Sequence, residues 1–251
     1  MESIAILGAR VDAVDRDEAV ARIVELAGRA NDPGLVVTLG VEMVMHARRD
    51  PAFRALVNGA ALVTCDTVGL LLASRLRGGP LRARVTGVEL VAALAERSAR
   101  FGDLRLYLLG GGGSTAQDAA AALQRLAPGV QIAGARDGYF AADESASVAA
   151  AIAASGANVL LAGLGSPKQE FWLARHLPQT GCGAGIGIGG SLDVYAGNVA
   201  RAPAGVQRAG LEWAYRLAKE PRRWRRQLAL PQFAVAAVAE ALGGKLRNAP
   251  R

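Results

Sequence analysis

The stretch LRLYLLGGGGSTAQDAAAALQRLAPGVQIAG, residues 104–134, decides how this chain folds. Leu104–Leu109 is an apolar run of strand length, and four glycines, Gly110–Gly113, follow it directly. From Ser114 to Leu126 the sequence turns Ala- and Leu-rich at helical length, and Pro128-Gly129 closes it. Val130–Gly134 then reads as a second strand. Strand, helix and strand joined by turns this short form a right-handed βαβ crossover, so the two strands are parallel. Ser114 stands where a helix N-cap is expected.

The same alternation runs outward in both directions. Further strands are expected at 34–39 (GLVVTL), 61–64 (ALVT), 158–163 (NVLLAG) and 183–188 (GAGIGI). Helical patterns are expected at 16–29, 42–58, 67–77, 87–100 and 143–155. The fold class is therefore α/β: a Rossmann-like, mostly parallel sheet flanked by helices. Composition changes at Arg201-Ala202-Pro203-Ala204-Gly205, which divides the chain into an α/β domain, 1–203, and a basic helical appendage, 204–251. Helices at about 207–219, 222–230 and 232–243 suit the appendage, with Pro221 and Pro231 at helix starts where proline is tolerated.

Charge is distributed unevenly. Residues 1–200 carry 18 Lys+Arg against 19 Asp+Glu, whereas 201–251 carry 11 against 3. The appendage interleaves Trp213, Tyr215, Trp224 and Phe233 with Arg216, Lys219, Arg222, Arg223, Arg225 and Arg226. Such a segment meets something anionic: a lipid headgroup layer, a diphosphate or a nucleic acid. Hydrophobic residues make up 51% of the chain and aromatics only 5%, so the core is built mainly from Ala, Val, Leu and Ile. Cys65 and Cys182 stand far apart without a CxxC partner, and the two histidines join no Cys/His cluster, so no metal site is expected. No signal peptide and no apolar run long enough to span a bilayer is visible, which implies a cytoplasmic protein that at most touches a membrane surface.

Several residues stand at the carboxyl ends of expected strands, where open α/β sheets bind ligands. Gly110 and Gly111 open a turn whose backbone could approach a phosphate or nucleotide, although a plain tight turn accounts for them equally. Asp66 follows the strand 61–64 and is placed to act as a general base or to cap the next helix. Thr38 ends the strand Leu35–Thr38 in the same way, with a hydroxyl for a phosphate, a sugar or a helix cap. Arg84, between two helical stretches, offers a guanidinium suited to a pyrophosphate, or is simply solvated. Gln169, in Gly165–Glu170, can donate and accept to a base or sugar. Gly189 belongs to a second glycine-rich turn, 186–193, which close helix–strand packing also explains.

Six blocks occur in one order: TLGVEMVMHARRDP (38–51), DTVG (66–69), RVTGVEL (84–90), GSPKQE (165–170), GIGGSLDVYAGNVARAP (187–203) and GLEWAYRLAKEPRRWRR (210–226). Together they closely resemble the WecG/TagA/CpsF glycosyltransferases over nearly the whole chain. The resemblance implies an inverting, metal-independent transfer of a sugar, N-acetylmannosamine or a relative of it, from a UDP donor. The implied acceptor is a polyprenyl-diphosphate-linked sugar at the inner face of the bacterial plasma membrane, in teichoic-acid or exopolysaccharide synthesis. Carried over residue by residue, it implies Asp66 as catalytic base, Thr38 near the donor sugar, and Arg84 and Gln169 at the donor. Arg216, Arg223 and Arg226 match basic positions that close over the site at an anionic membrane surface. No cofactor is implied, and a homo-oligomer is left open. Gly40 stands where the family has Asn, and Thr67 and Glu89 also depart from its pattern, so the resemblance does not assign the sugar.

Other readings fit less well. A nucleic-acid arm would need a basic face on the sheet domain, which the sequence lacks. A dinucleotide-dependent oxidoreductase would need an acidic ribose contact where Gln131 and Ile132 stand. A non-catalytic relative is the reading to which Gly40 and Thr67 point.

Overall fold

In a computed structural model of the chain, residues 1–200, 202, 203, 205, 206, 214, 215 and 228–247 are described. The fold opens with an antiparallel hairpin, β1 (Ser3–Ile6) and β2 (Ala9–Asp12), in register Ile6 to Ala9. The elements then run α1 (Arg16–Ala27), β3 (Gly34–Leu39), α2 (Val41–Ala47), α3 (Pro51–Gly59), β4 (Leu62–Cys65), α4 (Val68–Leu76) and α5 (Gly87–Phe101). Next come β5 (Arg105–Gly110), α6 (Thr115–Leu126), β6 (Gln131–Arg136), α7 (Ser145–Ala154) and β7 (Val159–Gly163). The chain continues through α8 (Lys168–His176), β8 (Ala184–Gly187) and α9 (Ser191–Tyr195), and α10 (Ala229–Arg247) is the last described helix.

All six expected strands form, and they pair in the order β4-β3-β8-β7-β5-β6, every pair parallel. Side chains alternate across the sheet as the pleat requires. Leu106 and Leu108 enter the core shared with α1, α5, α6 and α9, while Tyr107 and Leu109 enter the core under α7 and α8. The hairpin, α2, α3, α4 and α10 cover the β3–β4 end of that second face.

Three local outcomes differ from expectation. The helix expected over 42–58 is two helices, because Asp50 accepts from the backbone N–H groups of Ala52 and Phe53 and Pro51 starts a new helix. The hairpin β1–β2 has no counterpart among the expected strands; each strand has four residues, and its turn places Leu7, not Asn or Gly, at φ 50°. Ser114 occupies the N-cap of α6, but its hydroxyl donates to the Asp118 carboxylate at 2.7 Å instead of accepting from the helix backbone.

The expected helix 232–243 lies within α10. The helices expected at 207–219 and 222–230 lie outside the described residues, apart from 214, 215 and 228–230. α10 buries Phe233, Ala237 and Ala241 against the domain. Its Glu240 accepts from the Leu7 backbone N–H through both oxygens at 3.2 Å and pairs with Arg77 at 2.9 Å.

Candidate active site

The connections leave the sheet toward opposite faces at neighbouring strands: β3 leads to α2 on one face, and β8 leads to α9 on the other. Such a divergence opens a crevice at the carboxyl ends of the strands. Gly40 and Thr67 occupy the N-cap positions of α2 and α4 without a side-chain cap, so both helix starts face the crevice with backbone donors.

Asp66 leaves the end of β4 half-buried. Its own N–H donates to the Leu39 carbonyl at 2.9 Å, and its Oδ1 accepts from the Gly87 N–H at 3.1 Å. Asp66 therefore does not cap α4; it spans to the first residue of α5. The segment carrying Arg84 is laced beside it, with the Val85 N–H on the Cys65 carbonyl at 2.7 Å and the Thr64 hydroxyl on the Val85 carbonyl at 3.0 Å. The Cys65 thiol reports the local field. Burial pushes it up to about 12, the Asp66 charge adds to that, and Arg84 opposes it.

Thr38 is buried, and its hydroxyl donates to the Gly187 carbonyl at 2.7 Å, tying β3 to the end of β8. Gln169 is only 2% exposed; its Oε1 accepts from the Gly189 N–H at 3.1 Å. The Gly189 N–H is therefore engaged by a side chain, and both residues serve the β8–α9 turn. Gly87 packs on that same turn: a Cβ there would lie 3.0 Å from the Ser191 hydroxyl and 3.1 Å from the Ile188 carbonyl. Asp66, Arg84, Thr38, Gln169 and Gly189 are brought together at the ends of β4, β3 and β8.

Gly110 and Gly111 stand apart from Asp66, although Gly110 abuts Gly163, which in turn abuts Gly189. They end β5, four strands from β4 in the sheet order, about 19 Å at the usual interstrand spacing. Both have positive φ, and a Cβ at Gly110 would lie 2.5 Å from the Gly163 carbonyl, so glycine is required by close approach. The loop is connected to the β8–α9 region by Asn198, which donates to the Thr115 hydroxyl at 3.0 Å, while Thr115 donates to the Gly112 carbonyl at 2.7 Å. Arg216, Arg223 and Arg226 lie outside the described residues.

Two positions escape a reading by strand ends. Glu170 is fully buried beside Gln169, and the Thr67 hydroxyl is buried without a partner among the described residues, next to Gly40. Glu170 stands in a stretch, Lys168-Gln169-Glu170, whose polarity suggests surface; Trp172 and Leu173 after it are the only signal that the helix turns inward. The sequence's single Asp-x-Asp triplet, Asp15-Arg16-Asp17, is remote from Asp66. Asp15 caps α1, and Asp17 lines a groove with Arg97, Arg100 and Phe101 at the far end of α5 from Gly87. Among the described residues no three His, Cys, Asp or Glu side chains gather as metal ligands, and no helix is long and apolar enough to cross a membrane.

Residues 4–247 match the family described as glycosyl transferase WecG/TagA/CpsF. A relative in Bacillus spizizenii strain W23 is 35% identical over 209 residues, covering 82% of this chain and 79% of its own length. That protein is an N-acetylglucosaminyldiphosphoundecaprenol N-acetyl-β-D-mannosaminyltransferase. With a match spanning almost the whole chain and a relative 35% identical over most of it, the chain belongs to the WecG/TagA/CpsF family of glycosyltransferases.

Proposed function

We propose that this glycosyltransferase moves an N-acetylmannosamine-type sugar from a UDP donor to a polyprenyl-diphosphate-linked sugar, with inversion and without a metal. The reading rests on Asp66, a half-buried carboxylate held at a strand end by the Gly87 N–H. The Bacillus relative supplies the chemical class of acceptor and sugar. In this reaction the Asp66 carboxylate takes the proton from an acceptor hydroxyl as that oxygen forms a bond to the sugar C1. The C1–O bond to UDP breaks on the opposite face, and the departing diphosphate carries the electron pair. Arg84, beside Asp66, is placed to offset the charge that develops there. Arg216, Arg223 and Arg226 of the appendage are the further cations assigned to it.

On this reading the lipid-linked acceptor is met at the inner face of the plasma membrane, in a step of envelope polysaccharide synthesis. Two features support an interfacial position for the appendage. The outer face of α10 exposes Val235, Val238 and Leu242, and the helix's only acid, Glu240, points inward to Leu7 and Arg77. Arg48 and Arg49 line the groove beside α10, with Pro231 and Val235. An apolar helix face rimmed by cations suits an anionic headgroup layer. Asp66→Asn tests the chemistry: turnover of UDP-N-acetylmannosamine with a short-chain lipid-diphosphate acceptor should fall roughly 10²–10⁴-fold while UDP binding is retained. Undiminished turnover in a folded Asp66→Asn protein removes Asp66 from the mechanism.

A further inference from the structure

Glu170 is 0% exposed, an uncommon place for a carboxyl group unless it is paired. Its Oε1 accepts from Gln169 Nε2 at 2.6 Å, and its Oε2 has no partner among the described residues. Burial pushes its carboxyl above the usual carboxylate range, with Gln169, Ser166 and the nearby His46 opposing. The carboxyl at this place is a hydrogen-bonding wedge against Gln169.

What the wedge holds is specific. An amide side chain can present its oxygen and nitrogen in either order; the Gly189 N–H, which only donates, and Glu170 Oε1, which accepts, together fix one order. The Gln169 oxygen is thereby turned toward the Gly189 N–H, which it accepts at 3.1 Å. The pair lies against bare backbone: a Cβ on Gly187 would lie 2.7 Å from Gln169 Nε2 and 2.9 Å from Glu170 Oε1. Gly189 itself sits at φ +54°, and the Ser191 hydroxyl donates to the Ile188 carbonyl at 2.6 Å. Thr38, Gln169 and Ser191 side chains thus each hold a link of the turn 187–191, and α5 begins on top of it. Gly87 touches Ser191 and Ile188 on one side and gives its N–H to Asp66 on the other.

We propose that Glu170 is a positioning residue for the transfer reaction: through Gln169 it fixes the Gly187–Ser191 turn, on which the first turn of α5 and the Asp66 carboxylate are seated. Gln169 on this account acts on the turn and not on the donor. The catalytic half of this inference rests on the function proposed above; the structural half does not.

Three variants separate the two. Glu170→Gln keeps a neutral acceptor for Gln169, Glu170→Ala removes it, and Gln169→Leu removes the hold on Gly189 while filling the space. In hydrogen exchange of the substrate-free protein, Glu170→Ala and Gln169→Leu should speed exchange of the Gly189 amide roughly five- to tenfold, with the β5 amides unchanged, and Glu170→Gln should match wild type. In turnover with UDP-N-acetylmannosamine, kcat should fall roughly tenfold or more in Glu170→Ala, with donor KM changed less than about threefold, and Glu170→Gln should restore kcat. Unchanged Gly189 exchange in a folded Gln169→Leu protein overturns the proposal, as does a Glu170→Gln protein that is as impaired as Glu170→Ala. If wild type turns over no UDP-sugar while the exchange pattern holds, the function reading fails and the positioning of the turn stands.

Discussion

Phe233→Ala tests how the end of the chain is held. Phe233 is 4% exposed, packs over Gly69 beside Val41, and shares a cluster with Leu70, Met45 and Ala73. Truncating a buried phenylalanine to alanine costs about 3–5 kcal/mol in a core. α10 is the last described helix, and among the described residues its other holds include Ala237 and Ala241, the partly buried Ala229 and Leu230, the Glu240 contacts to Leu7 and Arg77, and the Arg49–Gln232 bond. The loss is therefore expected as release of α10 and not as unfolding of the sheet. A deficit of about 3 kcal/mol raises the released population roughly 10²-fold. Hydrogen exchange followed by mass spectrometry reads this directly: amides of 233–243 should exchange roughly 10²-fold faster, and those of β5 should not change. Residues 204–228, which carry Arg216, Arg223 and Arg226, lie between buried Ala202 and Phe233, so release of one anchor should also raise the KM for a lipid acceptor. Unchanged exchange in 233–243, or equal acceleration in β5, refutes the claim that α10 is a separately docked clasp.

Other outcomes follow from single contacts. Gly183→Ala would place a Cβ 2.1 Å from the Leu26 carbonyl oxygen, backbone that cannot step aside, and should cost several kcal/mol, on the order of 3, in urea unfolding. Cys65 and Cys182, pushed up to about 12 and about 11 by burial, should resist iodoacetamide at pH 8 until the chain unfolds; rapid labelling of the native protein contradicts that burial. Glu170 has a raised pKa in the folded state, so its contribution to stability is complete below its unfolded value and is lost as pH rises toward the folded one. Glu170→Gln should accordingly gain stability relative to wild type as pH rises above the usual carboxylate range, as read by thermal melts across pH, and a pH-independent difference counts against a raised Glu170 pKa.

Strand positions were legible because each strand is a short Val- or Leu-rich run between glycine and a helical pattern, and buried parallel strands leave no other option. The same rule pointed to Asp66 and Thr38 as candidates, since ligands meet such sheets at strand ends. It could not say what each side chain touches. The Thr38 hydroxyl donates to the Gly187 carbonyl and the Gln169 oxygen accepts from the Gly189 N–H because the sheet order places β8 beside β3 and β7 beside β8, and that order is not written in any local pattern. For the same reason Gly110, which resembles a phosphate loop locally, stands four strands from Asp66. The hairpin was illegible because its four-residue strands are too short to show alternation, and Glu170 because burial of an acid depends on neighbours distant in sequence.

The most direct test of the central claim is the stereochemistry of one reaction. Purified protein is incubated with α-configured UDP-N-acetylmannosamine and a short-chain lipid-diphosphate-linked N-acetylglucosamine, with EDTA present, and the product is analysed by mass spectrometry and NMR. The account predicts a disaccharide-lipid with a β-linked new sugar, released UDP in equal amount, and product formation lowered roughly 10²–10⁴-fold in the Asp66→Asn protein. Transfer from no UDP-sugar, an α-linked product, or full activity without the Asp66 carboxylate would contradict it.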